Sequence, residues 1–170
     1  MNAVELIDQL IAEHKIIDER AGNLEEAASD AALLGELSGA RETFVPGRLD
    51  QQKGLDRLEE MLRTITPWLY KHFEREETIL LGMVRDLDDV RLLSSLNSLL
   101  LEHADLRNRM AQIDEHIKEL KSGGLGRHRW DASANDMRAH LTHTRKLLAA
   151  HAGMENDLFA ELRRFFSAKS

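Results

Sequence analysis

Four stretches of this chain place apolar residues at alternating steps of three and four, and each seam is interrupted by histidine or by histidine with glutamate. Such steps keep side chains on one face of an α-helix. The first seam is Ile7, Leu10, position 14, Ile17, Ala21, Leu24 and Ala28. The second is Leu55, Leu58, Leu62, Ile65, Leu69, positions 72 and 76, Ile79 and Met83. The third is Leu92, Leu96, Leu99, position 103, Leu106, Met110, Ile113, Ile117 and Leu120. The fourth is Met137, Leu141, Thr144, Leu148, positions 151 and 155, Leu158, Leu162 and Phe165. The interrupting residues are His14, His72, Glu76, His103, His151 and Glu155.

Helices are expected over about 3–28, 49–83, 88–121 and 131–166, within one domain of 170 residues. The fold class is all-α, a left-handed, up-down antiparallel four-helix bundle. Residues 29–48, with Gly35, Gly39, Pro46 and Gly47, read as a linker holding one short helical turn near 31–37. Pro67 should kink or break the second helix. Ser122-Gly123-Gly124 should cap the third.

A carboxylate on an inward seam is costly unless it is paired or bound to metal. One polar seam residue is commonplace and often only fixes register. Six of them demand partners for four imidazoles and two carboxylates. In an up-down bundle all six lie between 7 and 15 residues from one end. At about 1.5 Å per residue this places them roughly 10–23 Å deep, in one layer.

Four imidazoles and two carboxylates exceed the needs of one tetrahedral zinc and suit two six-coordinate ions. Nitrogen and oxygen donors without thiolate favour iron or manganese over calcium or magnesium. The chain has no cysteine. Disulfides, thiolate catalysis, zinc fingers and iron–sulfur clusters are therefore excluded. A formal charge of −7 argues against nucleic acid or an anionic membrane as partner. The start, MNAVELIDQLIAEHK, lacks the basic and apolar regions of a signal peptide. A cytoplasmic protein is expected.

The segments AEHKIIDER, KHFEREETILL, LEHADLRNRM and LAAHAGMENDLF resemble the four signature helices of the hemerythrin-like, or HHE cation-binding, family. Only the segment around 29–48 falls outside the resemblance. It implies that His14 and His72 bind one iron and His103 and His151 the other. Glu76 and Glu155 would bridge the two iron ions together with an oxo or hydroxo group. The chain departs from the oxygen carriers of that family at two places. Arg107 stands where they have a second histidine on the third helix. Asn156 stands where they have an aspartate on the fourth, with Glu155 one residue nearer.

The resemblance then implies binding of oxygen, peroxide or nitric oxide in a redox or detoxifying role, with an electron donor unnamed. An iron or oxygen sensor, an iron-binding protein without turnover, and a metal-free interaction bundle remain open alternatives. Several other residues are expected to stay outside the site. His140 and His143 lie too far along the fourth helix. Glu77 points away from Glu76, Arg107 should pair with a neighbouring helix, and Tyr70 should pack. Met83, Met110, Met137 and Met154 should fill the core.

Overall fold

The computed structural model describes residues 2–41 and 49–169, with side chains described outside 31–51. Among the described residues the chain is helical and forms a bundle, with no strand. Helix α1 covers Ala3–Arg41 and α2 covers Leu49–Arg75. A π-helical turn, Glu76–Leu80, leads into the short α3, Leu81–Arg85. Helices α4 (Val90–Leu100) and α5 (Glu102–Lys121) follow one another across Leu101, and α6 covers Arg127–Ala168. No described helix is long and apolar enough to cross a membrane.

Local chemistry explains most boundaries. Asn2 and Glu5 form a reciprocal capping box, each side chain accepting from the other's backbone N–H at 2.8 and 3.1 Å. Helix α1 does not stop at Ala28 as expected but continues to Arg41. Ser29 to Leu34 contain no helix breaker, and a glycine within a helix weakens it without ending it. Residues 42–48, the rest of the expected linker, lie outside the described residues. Helix α2 runs through Pro67 without a break, the second of the two expected outcomes.

Asp89 accepts from the Leu92 N–H at 3.0 Å and so starts α4 two residues later than expected. Gly123, at φ +73°, terminates α5 in the left-handed region that glycine tolerates. Helix α6 begins at Arg127, before the expected Asp131, because Trp130 is buried and its indole N–H donates to the Leu120 carbonyl at 3.2 Å.

The core is divided in two. One apolar cluster gathers Ile17 to Ala28, Leu55 to Phe73, Leu106 to Leu120 and Trp130 to Leu148. The other gathers Leu6 to Leu10, Leu80 with Val84, Leu92 with Leu96, and Leu158 to Leu162. Along the chain His14, His103, His151 and Glu155 fall between the two, and His72 and Glu76 flank Phe73 at the edge of the first. Two seam assignments and one core assignment need correction. Ile79 and Phe165 on the seams are 46% and 36% exposed, and Met154, expected to fill the core, is 46% exposed. A π-helical turn holds more residues than an α-helical one, so after Glu76 the inward positions become Leu80 and Val84 instead of Ile79 and Met83. On α6 the inward aromatic is Phe159, not Phe165.

Candidate metal centre

His14, His72, Glu76, His103, His151 and Glu155 meet in the layer between the two apolar clusters, each no more than 5% exposed. They form two overlapping groups: His14, His72, Glu76 and Glu155, and Glu76, His103, His151 and Glu155. In each group the potential ligand atoms lie within 4.8 Å of one another.

The two glutamates divide their oxygens between the groups. Glu76 Oε1 lies 3.0 Å from His72 Nε2 and 3.7 Å from His14 Nε2, while its Oε2 lies 3.3 Å from His103 Nε2. Glu155 Oε2 lies 3.0 Å from His14 Nε2, while its Oε1 lies 2.8 Å from His151 Nε2 and 3.4 Å from His103 Nε2. Neighbouring ligands about 2.1 Å from one ion stand about 3 Å apart, so these spacings match a shared cation.

Each histidine turns its other nitrogen away from the layer. His14 Nδ1 donates to Asn156 Oδ1 at 2.7 Å and His72 Nδ1 to Glu13 Oε2 at 2.7 Å. His103 Nδ1 donates to Glu77 Oε1 at 2.8 Å and His151 Nδ1 to Glu102 Oε2 at 2.6 Å. Committing Nδ1–H outward fixes the tautomer that presents the Nε2 lone pair inward, the usual arrangement behind a metal-binding imidazole.

The inward atoms are left without partners of their own. His14 Nε2 and all four oxygens of Glu76 and Glu155 are buried and make no aligned hydrogen bond. His103 Nε2 and His151 Nε2 face each other at 3.0 Å. Orphaned buried acceptors cost stability unless a cation meets them. The donor set and its orphaned lone pairs fit a metal cation in each group.

Protons are the competing cations. Burial pulls the His14 imidazole down, but the acceptors at Glu155, Glu76 and Asn156 outweigh it and raise the group to about 10. Burial likewise opposes protonation of His103, and Glu155 and Glu76 carry it up to about 9. His151 is raised against its burial by Glu155 and Glu102. Burial pushes Glu76 up, but His103, His14 and His72 hold it down at about 2. Glu155 is held well below the ordinary carboxylate range against the same burial.

The model of the hemerythrin HHE cation binding domain matches residues 5–163. The chain belongs to the hemerythrin HHE cation-binding family. No curated protein and no solved structure matches it. In this HHE domain Glu13, Glu102 and Asn156 are the site residues that the seams did not reveal. Each is one residue from a polar seam residue, so it points about 100° around its helix, toward a neighbour. A glutamate preceding a seam histidine, as in Glu13-His14 and Glu102-His103, was the available signal. Glu77 and Arg107 belong to the same outer shell. Arg107 donates to both Glu77 oxygens, at 2.7 and 2.9 Å, and its guanidinium lies over Phe73. Tyr70 packs beside Arg107 and donates to its carbonyl at 3.2 Å. His140 lies outside the centre, against the Arg109 carbonyl, and His143 is exposed.

Proposed function

We propose that this HHE domain is a non-haem di-iron protein that binds oxygen, peroxide or nitric oxide at a carboxylate-bridged centre. The observation that carries this reading is the division of each glutamate's two oxygens between the two histidine pairs. His14 and His72 would hold one iron, His103 and His151 the other, and Glu76 and Glu155 both. Bound there, iron would supply Lewis acidity and an electron reservoir.

The protein's own part is to position and to seal. Each group offers four ligand atoms, which leaves room in a six-coordinate shell for a small molecule. Phe73 stacks on the His103 ring at 3.9 Å and Phe159 on the His14 ring at 5.7 Å, and both phenyl groups are buried. They keep bulk water off the two imidazoles that come from α5 and α1. An up-down helix order is part of the proposal. It is supported by Asp8 with Arg163, His14 with Asn156 and Glu25 with Arg145, where numbers rise along α1 as they fall along α6. A redox or detoxifying role is part of the same proposal, supported by the open positions and the exclusion of water.

The test is iron content and an optical spectrum, on protein loaded anaerobically with ferrous iron and then exposed to air. Two irons per chain with near-ultraviolet charge-transfer bands on oxidation are expected. No iron, or a single loosely held ion, would overturn the reading. Consumption of added peroxide or nitric oxide would then separate turnover from binding.

A further inference from the structure

Three of the four imidazoles are held firmly from behind and one is not. Glu13, behind His72, is 8% exposed and is gripped by Arg75 at 2.6 Å and Gln9 at 2.8 Å. Glu77, behind His103, is clamped by both terminal nitrogens of Arg107. His14, bonded to Asn156, is stacked under Phe159. Glu102, behind His151, is 45% exposed, and among the described residues His151 is its one polar partner.

A cavity of about 200 Å³ opens between α5 and α6 at this place, lined by Glu102, Leu106, Leu147, Ala150, His151 and Met154. It reaches the back of the His151 ring from the surface. Two backbone features lie beside the cavity. Glu102 opens α5 directly after the interruption at Leu101. Gly153 sits in mid-helix between His151 and Glu155, and a Cβ there would meet nothing within 4 Å. Packing therefore does not require this glycine, and its effect is to loosen the helix next to His151. Met154, half exposed at the cavity, is a side chain that yields easily.

We propose that His151 is the mobile ligand through which a hydrated divalent cation enters and leaves the centre, with Glu102 as its latch. The proposal rests on the di-iron reading. Breaking the Nδ1–Glu102 bond frees the imidazole to rotate toward the cavity. Closure restores the bond and returns Nε2 to the layer.

The test follows anaerobic ferrous loading by rapid mixing and release to a chromogenic chelator, after equilibrium iron content has been measured on each chain. Ala150→Phe fills the cavity from an exposed position. It should slow loading and release alike by about tenfold, a barrier rise of about 1.4 kcal/mol, with iron content unchanged. Glu102→Ala removes the latch and should speed both. A purely orienting role for Glu102 would speed release alone. Loading of the Ala150→Phe chain at the wild-type rate, or faster release without faster loading in Glu102→Ala, overturns the gate. A wild-type chain that holds no iron at equilibrium overturns the di-iron reading and the gate with it, so the two failures are distinguishable.

Discussion

The two halves of the centre are built to one plan and finished differently. In each, one histidine donates to the residue that follows a glutamate shared by the two groups: His14 to Asn156, His103 to Glu77. In each, the other histidine donates to a glutamate that itself precedes a seam histidine: His72 to Glu13, His151 to Glu102. The difference lies in charge and exposure. The His14–His72 half has one neutral amide and one carboxylate behind its rings, and that carboxylate is nearly buried. The His103–His151 half has two carboxylates, of which Glu102 is nearly half exposed. A carboxylate behind an imidazole makes the ring a stronger donor than an amide does. The second half should therefore give more electron density to its ion, while the first half is better sealed.

The most severe way to break the comparison is to remove what the halves share. Glu76→Ala or Glu155→Ala takes one ligand from each half at once. Loss of most bound metal is expected in both variants, well beyond the roughly 10–100-fold affinity loss of an outer partner. Metal analysis after gel filtration checks it, and two irons retained by both variants would sink the bridging assignment.

The next effect is on pH, and its sign reverses with loading. In the metal-free chain His14 and His103 are raised from 6.5 to about 10 and about 9. Their stabilising contribution is complete below pH 6.5 and is lost as pH rises through those values. Glu76, lowered from 4.5 to about 2, contributes above pH 4.5 and ceases to as pH falls through about 2. Thermal melts of chelated protein should therefore show stability falling from pH 6.5 to 9. Metal must displace those same protons, so its affinity should rise over the same interval. A titration showing flat affinity there would separate His14 and His103 from the metal.

How much of this was legible depended on periodicity. His14, His72, Glu76, His103, His151 and Glu155 stood out because each broke an apolar seam, and seam spacing also set their common depth. The orienting residues broke no pattern. Glu13, Glu102 and Asn156 look like ordinary polar residues flanking the seam, and only the approach of a neighbouring helix gives them a partner. The π-helical turn left no clear mark either. Thr78 Oγ1 donates to the Glu74 carbonyl at 2.6 Å, a side-chain bond that competes with the helical ladder next to Glu76. That bond is invisible to a hydrophobic pattern, which is why Ile79 was placed inside and Leu80 was not. The extension of α1 beyond Ala28 escapes the pattern for another reason. Gly35 and Gly39 suggest a break, although glycine only lowers helix stability.

Smaller changes would sharpen the contrast between halves. Glu77→Gln removes a charge behind His103 and loosens Arg107. It should weaken the second half about tenfold and leave the first half unchanged. Asn156→Asp adds a charge behind His14 and should tighten the first half by a similar factor. Stepwise metal titration resolves the two affinities, and a shift of both together would mean the halves are not independently tuned.

The smallest effect expected is none. His140 shares the histidine-rich helix α6 but bonds the Arg109 carbonyl, and its ring lies 6.1 Å from that of His116. Burial together with Arg109, His116 and His143 holds His140 below the ordinary histidine range, apart from a raising contribution of the Arg109 carbonyl. It belongs to neither four-residue group. His140→Ala should leave metal content and both affinities unchanged. A loss would mean that an imidazole outside the polar layer takes part, and the division of the core into two apolar clusters would no longer mark the limits of the centre.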